Sequence, residues 1–154
     1  MEKKYDSTLD TMKHIHRVQE LLQQACNILA KRGIEHDQSK LKSPEKELYD
    51  ELTPILENLT YGSEDYKKSL ERLKPALEHH YKNNTHHPEH YKNGVDDMDL
   101  FDVIEMFFDW KAAGERHKDG NIFKSIEINK KRFKLSDQLT KIFENTATNL
   151  KYKK

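Results

Sequence analysis

Cysteine occurs once in 154 residues, at Cys26. A single thiol excludes an internal disulfide and a thiolate-held metal cluster. Glycine (5) and proline (4) are scarce, and alternating β-branched runs are missing, which excludes a strand-rich fold. No apolar run approaches the roughly 18 residues of a membrane span. The start, MEKKYDSTLD, lacks the apolar stretch of a signal peptide. The expectation is a cytoplasmic protein with no membrane partner. An excess of one charge is also missing: Lys+Arg and Asp+Glu both number 27. That argues against a dedicated nucleic-acid surface, though not against a local basic pocket. Apolar residues make up 34% and charged residues 35%. The apolar ones recur at helical spacing, so the chain reads as globular and not disordered.

What is present is helix. The pattern predicts an all-α fold, one domain over 1–154 with five or six helices and a basic tail from about 150. Asp6 or Ser7 can cap a first helix with an apolar face of Leu9, Met12, Ile15, Val18, Leu22, Ala25 and Leu29. Gly33 is placed to break or end it, and IEHDQSKLK reads as a link. Ser43-Pro44-Glu45 reads as a helix start with Ser43 as cap, running to about Leu59 with Pro54 inside. TYGSED is a turn, and Ser63 can cap a third helix from Glu64 to about Asn83, kinked at Pro75. NNTHHPEHYKNGVDDM is a loop. Asp99 or Met98 opens a strongly apolar fourth helix, LFDVIEMFFDWKAAGERH, expected to be largely buried, with Trp110 as core. Asp119-Gly120 marks a turn before IFKSIEINKKRF and DQLTKIFENTATNL.

Histidine is abundant where little else is. Eight of nine lie between His14 and His90, in three groups: His14 with His16, then His36, then His79 to His90. In HHYKNNTHHPEHY, residues 79–91, five of thirteen positions are histidine. Asp37 follows His36, and Asp102, Glu105 and Asp109 share one face of the fourth helix. Acids near a buried helix face are costly unless paired or bound to a cation. Imidazole nitrogen with carboxylate oxygen suits Mn, Fe, Zn, Co or Ni. Six or more such groups exceed one tetrahedral site and would serve a pair of ions. Each group also has an ordinary reading. His79 and His80 are consecutive and cannot both face one site. His16 points away from His14. His90 and His117 suit the surface or hydrogen-bonding support. Asp96, Asp97 and Asp99 suit a solvated turn and helix cap, and the helix acids could pair with lysines.

His14, His36-Asp37 and Asp109 together resemble the H…HD…D signature of the HD-domain metallohydrolases, all-helical proteins that are mostly phosphohydrolases. HDQSK, residues 36–40, is similar to the HDIGK stretch of the cyclic-dinucleotide-cleaving branch. HHPEHY resembles that branch's HHE region, and Leu100 to Asp109 matches its last ligand helix. The GYP element of that branch is absent, with HYKNG in its place, and His80 to His86 is a much shorter gap. Both departures argue against cyclic-dinucleotide cleavage. Over nearly its full length the chain also resembles an uncharacterised family of bacterial and phage proteins with HIxxV, HDxSKLxSPE, HxxxNxHHPEH and EMxxDWxAA.

The resemblance implies roles. His14, His36, Asp37 and Asp109 would hold one divalent transition-metal ion; where there are two ions rather than one, Asp37 would bridge to a second held by His80 and one or both of His86 and His87. Lys40 would contact a phosphate oxygen or the bridging water. Glu105 would orient a histidine, ligate or act as a base. Asn84, Lys111, Arg116 and Arg132 would contact the loop backbone or phosphate. The expected activity is hydrolysis of a small phosphorylated molecule such as a nucleotide. The rival readings are a di-iron oxygenase of the same fold, and a non-enzymatic helical module with a structural metal. The sequence leaves the oligomeric state open, a homodimer included.

Overall fold

The computed structural model describes residues 5–59, 63–116 and 120–153. Among them are six α-helices, three 3-10 turns and no strand. The helices are α1 (Thr8–Glu35), α2 (Glu45–Glu57), α3 (Glu64–Asn83), α4 (Leu100–Glu115), α5 (Ile122–Phe133) and α6 (Asp137–Asn149). Thr60 to Gly62 of the expected TYGSED turn, His117 and Asp119 lie outside the described residues. Backbone contacts divide the chain into two units, Met1–Glu35 and His36–Lys154.

The first unit is α1. Asp6 Oδ1 accepts the Thr8 N–H at 3.0 Å, which caps the helix start. Gly33 lies in the last turn of this helix, which stops two residues later at Glu35, close to the expected end. Its apolar residues Leu9, Met12, Ile15, Val18 and Leu22 are exposed.

The second unit begins at His36. Asp37 takes the left-handed conformation, φ 57°, which Asp and Asn tolerate better than other side chains with a Cβ. The expected link then coils into a 3-10 turn, Gln38–Leu41. Pro44, not Ser43, holds the cap position of α2 and offers no side-chain cap. The first turn is closed instead by the Lys46 N–H on the Lys42 carbonyl, 2.9 Å. Ser63 does cap α3, accepting from the Tyr66 N–H at 3.2 Å. α3 runs unbroken through Pro75 and buries Ser69, Leu73, Ala76 and His80 on one stripe. Asp99 opens α4 in a reciprocal capping box with Asp102.

Two apolar clusters result. Leu52, Leu73 and Ala76 join α2 to α3. Met106, Phe107, Ile122, Ile126, Leu135, Phe143 and Ala147 join α4, α5 and α6. Trp110, half-buried, packs against this second cluster and stacks on Phe133 at 6.2 Å. α4 itself is less buried than its composition implies, with Phe108 and Leu100 exposed. It packs through Met106 and Phe107 and keeps an acidic flank for the neighbouring histidines. Phe107 stacks on Phe143 at 5.5 Å and is almost fully buried. Phe107→Ala is expected to cost about 3–5 kcal/mol, read as a lowered urea midpoint with an unchanged slope.

Candidate metal centre

Between the two apolar clusters the chain places polar groups. Three segments supply them: the turn after α1, the end of α3 with the loop behind it, and the middle of α4. His80 comes from the buried stripe of α3. His86 and His87 come from the loop, which Asn84 anchors. The Asn84 amide donates to the His80 carbonyl at 2.8 Å and to Ser39 Oγ at 2.8 Å. Asp102, buried in α4, accepts from Thr85 Oγ1 and Tyr91 Oη, both at 2.6 Å, and so holds both sides of the His86–His87 pair.

Asp37 lies at the centre. Its Oδ1 is 3.2 Å from His80 Nε2 and 3.5 Å from His86 Nε2. Its Oδ2 accepts from Lys40 Nζ at 2.6 Å and is 3.6 Å from His36 Nε2. His80 Nε2 and His87 Nε2 are 2.9 Å apart. Asp37, His80, His86 and His87 thus form one group whose ligand atoms lie within 4.8 Å of one another, and His36, Asp37 and Asp109 form a second. In a tetrahedral site with bonds of about 2.0 Å, neighbouring ligand atoms stand about 3.3 Å apart. Separations of 2.9, 3.2 and 3.5 Å in the first group bracket that spacing.

Two atoms make the fit sharper. Among the described residues, Asp37 Oδ1 and His86 Nε2 are buried side-chain atoms without a hydrogen-bond partner. Leaving a buried polar atom unsatisfied costs about 1–3 kcal/mol. Both belong to the same four-ligand group, and a cation there would satisfy both.

Behind the ligands stand carboxylates. Glu105 Oε1 accepts from His36 Nδ1 at 2.8 Å and is 3.0 Å from His86 Nδ1. With hydrogen on Nδ1 toward Glu105, each ring turns its Nε2 edge toward Asp37. A third ligand-like trio, His36, His86 and Glu105, also lies within 4.8 Å. Glu105 Oε1 already serves both imidazoles there, which favours support over ligation. Glu45, fully buried, reaches His79 Nδ1 at 2.7 Å and His80 Nδ1 at 2.9 Å.

The protonation of the group follows from these neighbours. The Asp109 carboxylate, 3.7 Å away, and the Glu105 hydrogen bond hold the His36 imidazolium up to about 10, against burial. At 3.7 Å the Asp109 contact acts as charge attraction more than as a short hydrogen bond. Burial, with the charges of His86 and His80 adding, pushes His87 down to about 3. Burial pushes Asp37 up, but the nearby His80 imidazole, the Lys40 hydrogen bond and charge, and the His36 charge outweigh it and hold the carboxyl far below its usual range. Asp109 is lowered in the same sense.

A raised histidine stabilises the fold below its unfolded value near 6.5, and that stability is lost as pH rises toward about 10. A lowered histidine acts oppositely: the unfolded chain takes the proton first, so stability is lost from 6.5 down toward about 3. The lowered carboxyls add a loss below about 3.8. The metal-free protein is therefore expected to be most stable near pH 6.5. Urea midpoints at about pH 4.5, 6.5 and 9 check this, and His36→Gln should flatten the alkaline side. A wild-type midpoint that does not fall between 6.5 and 9 refutes the assignment to His36.

The structure thus brings together His36, Asp37, Lys40, His80, Asn84, His86, His87, Glu105 and Asp109. His14 lies in the first unit, exposed on α1. Lys111 lies over the Tyr152 ring and pairs with Glu115. Arg116 is exposed at the end of α4. Arg132 pairs with Glu89 at 2.7 Å. His90 meets the Tyr81 carbonyl at 2.9 Å. Sequence reasoning missed Glu45 and Ser39. Asp102 had been read with the helix acids; its place three residues after Asp99 is the signal that makes it a capping partner.

A family model described as Family of unknown function (DUF5662) matches residues 3–149. No curated protein and no solved structure matches the chain.

Proposed function

The chain belongs to this family of unknown function, and from the site's own geometry we propose that it is a metal-dependent hydrolase of small phosphoesters, nucleotides among them. The observation that carries the reading is the pair of orphaned buried atoms, Asp37 Oδ1 and His86 Nε2, within one His3Asp group. The donor set suits Mn, Fe, Co, Ni or Zn. A bound ion supplies a Lewis acid and a hydroxide nucleophile at neutral pH.

The chain's residues do the rest. Asp37 turns one oxygen to the His80–His86–His87 group and the other to His36 and Lys40, so it would be shared between the two groups if each held an ion. Glu105 orients His36 and His86. Lys40, beside Asp37 and 5.6 Å over the Tyr49 ring, presents its ammonium to a phosphoryl oxygen as negative charge grows there. Water oxygen bonds to phosphorus, the ester P–O bond breaks, and the alcohol leaves with a proton.

A purely structural ion has one observation in its favour, since four protein ligands close a tetrahedral site. The second group weighs against it. His36 and Asp109 side chains keep 29% and 26% of their exposure, so substrate and water can reach that side. Reconstitution with each of the five metals, followed by a phosphomonoester, phosphodiester and nucleotide panel, tests the reading. Turnover that depends on metal and falls in Lys40→Met and His36→Ala supports it. A fully loaded protein that cleaves none of the panel rejects it.

A further inference from the structure

We infer that Glu45 is a positioning residue of the metal centre: through one carboxylate it sets the tautomer of His80 and so aims the Nε2 lone pair of that ring at the ion. This rests on the metal reading above. Glu45 opens α2, 34 residues before His79, and is 0% exposed. Each oxygen meets a different imidazole, Oε1 at His79 Nδ1 (2.7 Å) and Oε2 at His80 Nδ1 (2.9 Å). A carboxylate only accepts, so both Nδ1 atoms must donate.

One contact competes: Asp37 Oδ1 lies 3.2 Å from His80 Nε2, farther than Glu45 Oε2 from Nδ1, and a cation between the two would remove that competition. The remaining contacts agree. The Asn84 amide lies 3.1 Å from His80 Nδ1, but its two hydrogens point to the His80 carbonyl and Ser39 Oγ. Ser39 Oγ stands at 3.2 Å, farther than Glu45. On the opposite edge, His87 Nε2 lies 2.9 Å from His80 Nε2, and a hydrogen between them fits when His80 Nε2 is the acceptor. His79 is locked likewise. The Asn83 amide, 3.3 Å from its Nε2, leaves that nitrogen as acceptor and Nδ1 as donor.

The pairing makes a specific prediction. In Glu45→Gln the side chain keeps one accepting oxygen and gains an NH2 that opposes an Nδ1–H. It cannot serve both rings. Removing the outer ring with His79→Ala frees the amide to turn its oxygen to His80. The experiment uses the full chain with Co(II), read by visible absorption and by chelator competition, with thermal melting of the metal-free proteins as a check on folding. Glu45→Gln is expected to weaken Co(II) binding about tenfold or more and to alter the absorption bands. Adding His79→Ala to it is expected to restore affinity toward that of His79→Ala alone. A role confined to packing predicts no such rescue.

A measurement on the unaltered chain stands beside the variants. In the zinc-loaded protein, nitrogen-15 resonances should show hydrogen on His80 Nδ1 and metal on His80 Nε2. Zinc on Nδ1 overturns the inference, as does Glu45→Gln with unchanged Co(II) affinity and spectrum, or a double variant no tighter than Glu45→Gln. Failure of the unaltered chain to bind Co(II) or zinc overturns the metal reading itself. The other outcomes leave that reading standing.

Discussion

Asp37→Asn is expected to purify folded, without bound transition metal, and to lose metal-dependent phosphoesterase activity at least about a thousandfold, which corresponds to about 4 kcal/mol of transition-state stabilisation. The loss follows from the two directions in which Asp37 faces. Oδ1 is 3.2 Å and 3.5 Å from two imidazole nitrogens, and Oδ2 takes the Lys40 ammonium at 2.6 Å. An asparagine keeps one oxygen. Its NH2 must then face either the ligand group or Lys40, and in both places it meets a cation or donor. The fold should survive because asparagine accepts the left-handed backbone found at residue 37. Asp37→Ala would add backbone strain and blur the reading. Inductively coupled plasma mass spectrometry beside the hydrolysis assay decides it: full metal content with full turnover in the asparagine variant would remove Asp37 from the centre. His14→Ala is the informative companion. Four donors of the first group come from residues 37–87, so at least one ion is expected to remain in that variant.

The sequence made some of this legible and hid the rest for identifiable reasons. Helix identity was readable because the signals are local: Ser63 before α3, Asp99 before α4, and apolar spacing through α5 and α6. Boundaries failed where a local signal competes with something larger. Ser43 matches a cap by type, yet Pro44 takes the cap position and the backbone closes the turn itself.

Most of the site was legible as composition, since His36-Asp37, His80, His86, His87, Glu105 and Asp109 stand out as residue types. The supporting carboxylates were not. Glu45 looks like an ordinary acid in a helix's first turn, and only the packing of α2 on α3 brings it to His79 and His80. Asp102 shows the reverse case. It shares a helical face with Glu105 and Asp109, but as a capping partner it spends its oxygens on the loop that carries His86 and His87. A pattern on one helix reports which side chains share a face. It does not report which of them another element will claim.

Metal should also decide stability. Saturating zinc or manganese is expected to raise the thermal midpoint by about 8 to 16 °C and a chelator to reverse it. An ion at a thousand times its dissociation constant adds about 4 kcal/mol, and a chain of this size gains about 2–4 °C per kcal/mol. The placement of the ligands explains why the gain reaches the fold. The α2–α3 cluster and the α4–α6 cluster are separate apolar cores. The polar contacts that span them include Glu105 with His36 and His86, and Asp102 with Thr85 and Tyr91. An ion held by His80 of α3 and by His86 and His87 ties the end of one core to the loop fastened on the other. It also satisfies Asp37 Oδ1 and His86 Nε2, whose burial otherwise costs about 1–3 kcal/mol each. Differential scanning calorimetry of the metal-free and metal-loaded chain measures the shift, and His80→Ala and His86→Ala should each abolish it. A shift that persists in both variants would place the ion elsewhere. No shift in the unaltered chain would mean that the orphaned pair is satisfied without a metal, and the centre would have to be read as a buried acid–imidazole network instead.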